Sequence, residues 1–172
     1  MPTTTTAELI DVVNTFTGER ICSSGNTQRL TVCSVERWGL RIEYPTPDHP
    51  LIESEAAWLL SDVGLRLTYY RRRSRHAEPA PTVLTAVKVQ RDTRSWRTTD
   101  LLLGLELLGD GQRRFAGSGE FAAAVTHRTL TPSDADLALK TVHRVMEELS
   151  YCGNDVDLWL ARQGIVDSWP PR

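Results

Sequence analysis

Four carboxylates, a run of arginines and a set of aromatic residues hold most of the chemistry this chain can offer. Asp100, Glu106, Asp110 and Glu120 fall within residues 96–121, WRTTDLLLGLELLGDGQRRFAGSGEF. A carboxylate held beside a substrate can act as general acid or base. Glu106, Asp100 and Glu120 are the candidates, because Asp110 sits between Gly109 and Gly111 and serves a turn. Arg71, Arg72, Arg73, Arg75 and His76 form the densest charge cluster. Guanidinium matches carboxylate and phosphate in bidentate geometry. On an extended strand Arg72 faces away from Arg71 and Arg73, so the three cannot converge, and Arg72 is the candidate for holding a carboxylate or enolate. Tyr69 can supply a hydrogen bond or a proton. Tyr70, Trp58 and Trp96 can line an apolar pocket, although each taken singly also suits core packing. Gly117-Ser118-Gly119 opens a helix and serves either as a turn and cap or as an anion seat. The four histidines lack any H-E-x-x-H or comparable spacing, which argues against a histidine metal site.

The elements that position these residues follow from periodicity. Leu101, Leu103, Leu105 and Leu107 alternate with Leu102, Gly104, Glu106 and Leu108, a strand period of two. Gly109-Asp110-Gly111 then predicts a tight turn, residues 112–115 the return strand, and Ser118 the cap of a helix over 119–127. Gly104 inside a strand marks a close approach by a ligand or another backbone, or a bend at a barrel corner. Residues 29–35, 39–44, 65–72 and 83–89 read as further strands. Residues 52–60 suit either a strand or a short helix. Leu9, Ile10, Val13 and Phe16 predict a short N-terminal helix capped by Thr5 or Thr6 and ended by Gly18. Thr131-Pro132 begins the strongest helix, with Ala135, Ala138, Val142, Val145 and Leu149 on one stripe and Gly153 as its stop. Asn154 is the expected cap of a last helix over 155–163. Five or six strands flanked by N- and C-terminal helices give one α+β domain over 1–172, a twisted antiparallel sheet or small β-barrel.

Composition narrows the classes. With 172 residues and a net charge of −2, no electrostatic footprint for nucleic acid is present. No apolar run reaches the roughly 20 residues of a membrane helix, and the N-terminus lacks signal-peptide features. Cys22, Cys33 and Cys152 lack disulfide or metal spacing, so the expectation is reduced thiols and a cytoplasmic protein.

The stretch 98–111, TTDLLLGLELLGDG, followed by Gly117-Ser118-Gly119-Glu120-Phe121, resembles a family of small barrel-like phosphohydrolases. That family includes the staphylococcal nucleoside di- and triphosphatase and the nucleotidyl-phosphonate hydrolase of fosfomycin biosynthesis. Its pattern runs Y-[IV]-D-x-D-L-D-[IV]-x-[VI]-x-P-[DN]-G, then D-E-D-E-[FY] and a helix, and the resemblance covers residues 65–165. It implies the fold and a set of acids that bind divalent metal ions holding a phosphate chain. Asp100 and Glu120 retain that character. Leu102, Gly104, Gly117 and Gly119 stand where the family places acids, which removes ligands that Mg²⁺ or Mn²⁺ requires.

The substitutions imply a more apolar, roomier strand face. The expectation is therefore a metal-independent enzyme or binder, with no cofactor, acting on an apolar or carboxylate-bearing small molecule. Glu106, Asp100, Glu120 and Tyr69 would be its acid–base groups. Arg72, Leu102, Gly104, Trp58, Trp96 and Tyr70 would line its pocket. A cyclisation, rearrangement or lyase step in bacterial secondary metabolism fits such a pocket. The alternatives are a Mg²⁺- or Mn²⁺-dependent nucleotide or phosphate-ester hydrolase, and a non-catalytic binding protein. A homodimer is open to it through edge strands and amphipathic helices.

Overall fold

Alternation of apolar and polar residues through the first two thirds of the chain builds one continuous antiparallel sheet. A computed structural model describes residues 9–171. The strands are β1 (Ile10–Asn14), β2 (Glu19–Ile21), β3 (Thr27–Arg29), β4 (Val32–Glu36), β5 (Gly39–Pro45), β6 (Ile52–Leu60), β7 (Leu65–Arg72), β8 (Thr82–Arg91), β9 (Ser95–Leu107) and β10 (Arg113–Ala116). Three helices follow: α1 (Ser118–Thr126), α2 (Pro132–Tyr151) and α3 (Val156–Arg162). The strand order is β3-β2-β1-β9-β8-β7-β6-β5-β4, with β10 also on β9.

The edge strands β3 and β4 are consecutive in the chain, joined by Leu30 and Thr31 alone. The sheet must therefore curl until its edges come near each other. Thr31 N donates to Glu43 O (2.8 Å) and Leu30 N to Gly18 O (2.9 Å), tying the seam to both sides. The result is a half-barrel, as the α+β expectation required, but with ten strands among the described residues instead of five or six.

Two cores lie on its two faces. On the outer face Leu67, Leu84, Leu101, Leu103 and Leu105 pack against Val142, Val145 and Leu149 of α2. On the inner face Val13, Leu40, Ile42, Leu59 and Trp96 form a second cluster. Each fully buried Leu or Ile stabilises the fold by roughly 1.5–3 kcal/mol. The α2 stripe sits as its spacing predicts, and Thr131 accepts from Asp134 N at 3.0 Å as the N-cap. Among the described residues no helix is long and apolar enough to cross a membrane.

Several local expectations are corrected. The described part of the expected N-terminal helix is strand: Val13 pairs with Trp96 and Arg20, and pairing on both sides overrides the helical spacing. The Thr5 and Thr6 caps lie outside the described residues. Residues 52–60 form a strand, with Ser54–Leu60 paired on both sides, to β5 and β7. The cap of α1 is Gly117, in the left-handed region at φ 70°, with no side-chain cap from Ser118. Asp155, not Asn154, caps α3, accepting from Leu158 N at 2.9 Å. Asn154 at φ 63° instead donates to Gly111 O at 2.9 Å and pins the β9–β10 turn.

Candidate functional site

Register decides which residues meet inside the half-barrel. Tyr44 of β5, Glu55 of β6 and Tyr70 of β7 are successive cross-strand neighbours. Arg66, four residues from Tyr70 and on the same face of β7, lies beside Thr85 of β8. Asp11 of β1 pairs with Thr98, two residues from Asp100 on the same face of β9. Curling brings β2 over β5, so the Arg20 guanidinium lies 4.6 Å from the Tyr44 ring centre.

These side chains form a connected polar cup. Arg20 pairs with Asp11, Arg66 Nη2 donates to Asp100 Oδ2 at 2.6 Å, and Arg66 Nη1 lies 3.9 Å from Asp11 Oδ2. Asp100 Oδ1 accepts from Leu102 N at 2.7 Å, so both its oxygens are engaged. The remaining cavity is about 10 Å³, close to the least that holds one water. The cup is thus filled largely by its own ion-pair network, which stays partly in contact with solvent.

Burial and the Glu55 carboxylate push the Tyr44 and Tyr70 hydroxyls above the usual tyrosine range. Burial alone would weaken the Arg66 charge, but Asp100 and Glu55 more than offset it. Because folding raises the Tyr44 pKa, its contribution is complete below the unfolded value, about 10, and declines as pH rises towards the folded value. We expect unfolding free energy to fall above pH about 10, by up to ~1.36 kcal/mol per pH unit for each such tyrosine. Urea unfolding between pH 8.5 and 11 checks this, and Tyr44→Phe should remove one proton's share of the slope.

A second, open site lies at one end of the half-barrel. A groove of about 1100 Å³ runs between the 73–81 loop, the β9–β10 turn and the start of α3. Leu107, Leu108, Val156, Pro79 and Pro81 give it apolar walls, and Tyr69, the cations Arg72 and Arg114 and the carboxylates Glu78 and Asp110 also line it. Arg72 is exposed and has no polar partner among the described residues. Arg114 is held by its Nε on Glu106, directly across the β9–β10 pair, which leaves its Nη groups free to donate. Such a groove can take a molecule with an apolar body and an anionic group.

The expected site residues therefore separate. Asp100 and Tyr70 meet in the cup, and Trp96 packs with Val13 in the inner core beyond it. Tyr69 and Arg72 meet in the groove, with Glu106 behind Arg114. Trp58 lies on the outer face, 5.0 Å from Trp169. Glu120 is exposed on α1.

Leu102 and Gly104 do not form a roomy inner face. Residues 101–103 of β9 oppose Ala86 alone, and in this bulge Leu102 adopts φ 68°. Its side chain joins the outer core. A Cβ on Gly104 would lie 2.1 Å from the Leu84 carbonyl oxygen, so another backbone fills that space. The remaining arginines of the cluster are committed elsewhere: Arg71 to Glu43, and Arg73 to the carbonyls of Thr46, Pro47 and His49.

Sequence reasoning missed Asp11, Arg20, Tyr44, Glu55 and Arg66. The signal for Arg66 was present in LRLTYY, where Arg66, Thr68 and Tyr70 share one strand face opposite Leu65, Leu67 and Tyr69. Asp11 was hidden by the helical reading. Among the described residues no three His, Cys, Asp or Glu side chains are grouped to hold a metal ion. The donor set the resemblance implies does not fit one, since Asp100 is ion-paired with Arg66 in the cup while Glu120 lies exposed on α1.

No protein-family model and no curated protein matches the sequence. Two solved structures share the fold. One is a protein of unknown function, DUF402, from Rhodococcus sp. RHA1, with TM-score 0.86 and 22% identity over 94% of this chain and 98% of that one. The other is the phosphatase SC4828, solved with the non-hydrolyzable nucleotide GPCP, with TM-score 0.60 and 10% identity over 82% of this chain and 80% of that one. At these identities the likeness shows the architecture: a curled antiparallel sheet backed by C-terminal helices.

Proposed function

We propose that this chain is a metal-independent binder of, or enzyme acting on, a small molecule with an apolar body and an anionic group, held in the end groove. The observation that carries this reading is the pairing of apolar walls with two donor-bearing arginines, Arg72 and Arg114, in an open groove of about 1100 Å³. Tyr69 in the groove and Glu106 behind Arg114 are the groups for proton transfer. Cyclisation, rearrangement or elimination are reactions that one acid–base group and a held conformer can promote.

The probe is anilinonaphthalene sulfonate, an apolar anion whose fluorescence rises on binding. Charged hydrogen bonds contribute ~1.5–3 kcal/mol, so Arg72→Ala and Arg114→Ala should each weaken binding about tenfold or more. Binding that ignores both substitutions overturns the reading.

Likeness to a phosphatase solved with a nucleotide favours a second reading, a metal-dependent phosphohydrolase. It requires Mn²⁺ or Mg²⁺ to raise the melting temperature with a nucleoside diphosphate, and phosphate release that Asp100→Asn or Glu120→Gln abolishes.

A further inference from the structure

The outer face carries an aromatic box beside the groove. Trp38 and Trp58 stack at 4.7 Å with their planes 34° apart. Trp169 stands edge-on to Trp58 at 5.0 Å and 76°, and edge-on to Tyr69 at 6.5 Å and 83°. Trp58 and Tyr69 are on strands. Trp169 arrives on a segment after α3 that is neither helix nor strand. It is tied by its backbone N to Asp157 Oδ1 (2.8 Å) and by its indole N to Thr82 Oγ1 (2.9 Å).

Two buried donors in this region have no partner: Trp58 Nε1 and Arg41 Nε. Arg41 and Trp58 are directly opposed on β5 and β6, so both project from the outer face with Cβ atoms ~5 Å apart. A buried N–H without an acceptor carries a desolvation cost. Two of them on neighbouring side chains, one charged, mark the place of a missing oxygen acceptor. The carboxylates of this face are engaged elsewhere: Glu43 with Arg71, Glu36 with Ser34 Oγ, which lies directly across from Arg41, and Asp167 with Trp38 Nε1.

We propose that the box is a binding site for a planar aromatic carboxylate of indole size. The ring takes the place that Trp169 fills, and the carboxylate accepts from Arg41 Nε and Trp58 Nε1. The ring class follows from the present occupant, an indole held edge-on by Trp58 and Tyr69. The anionic class follows from the two empty donors. Entry is from the groove, which Tyr69, Thr82 and Pro170 also line. The inference does not rest on a ligand in the groove, whose arginines lie outside the box.

An internal indole competes with the ligand, so the apparent affinity falls by the fraction of time the box is open. Indole-3-acetate and neutral indole are the probes, titrated by calorimetry. Trp169→Ala should tighten indole-3-acetate binding about tenfold or more. Arg41→Gln should weaken it about tenfold and leave indole unaffected. A parallel reading needs no cavity variant. In the full chain labelled with 5-fluorotryptophan, five fluorine resonances are expected, one for each tryptophan. Indole-3-acetate should move those of Trp38, Trp58 and Trp169 and leave Trp96 and Trp159 in place. The proposal is overturned if no box resonance moves, if Trp169→Ala binds no more tightly, or if Arg41→Gln weakens both probes equally. Loss of binding in Arg72→Ala with the Arg41 and Trp169 responses absent would assign the ligand to the groove alone.

Discussion

Gly104→Ala is expected to lower the unfolding free energy by about 3 kcal/mol or more, at the upper end of overpacking costs. The added Cβ would sit 2.1 Å from the Leu84 carbonyl oxygen and 3.0 Å from its carbon. Both are backbone atoms in the middle of the β8–β9 ladder, and no rotamer change moves them. Gly117 is caught the same way: at φ 70° its Cβ would meet the Leu102 carbonyl oxygen at 1.9 Å. Gly119 is the internal control. It lies in the first turn of α1 with nothing within 4 Å of a Cβ. Gly119→Ala should leave stability unchanged or raise it, by up to ~1 kcal/mol. Urea unfolding of the three variants checks the set, and a Gly104→Ala cost below about 1 kcal/mol would sink the argument. An acidic side chain at 104 or 117 would likewise require β8, β9 and the α1 entry to move.

This local backbone is what the sequence conceals. Alternation in 101–107 revealed a strand, and the outer leucines sit where that period puts them. A two-residue excess in β9 is invisible to a period of two, because the alternation on either side of Leu102 resumes in phase. Gly104 was legible as a close approach, but not as an approach by β8 in place of a ligand. The cup illustrates the other limit. Asp11 and Tyr44 are 33 residues apart and on different strands. They meet because Leu30 and Thr31 force the two sheet edges together, a consequence of strand order that no local pattern carries. The α2 helix was legible throughout, since its cap, proline, stripe and stop are all local.

Arg66→Met is expected to cost about 3 kcal/mol, in the range for breaking a buried ion pair by removing one partner. The low end applies because Arg66 and Asp100 keep 19% and 25% of their side-chain surface in water. Without the guanidinium, Asp100, Asp11 and Glu55 lose the cation they share, and Arg20 is the remaining one. Their repulsion, more than any lost contact, is the penalty. Asp100→Asn added to Arg66→Met removes one of those charges while its side-chain oxygen can still accept from Leu102 N. The double variant should therefore be less destabilised than the two single losses sum to, by about 1 kcal/mol or more. Strict additivity would mean that the charges do not interact. The pair also separates structure from function. If the cup only braces the half-barrel, both variants bind anilinonaphthalene sulfonate in the groove with unchanged affinity well below their melting temperatures. If binding falls in step with the Arg66 charge, the groove senses the cup through β9, and Asp100 regains the acid–base role that its pairing with Arg66 argues against.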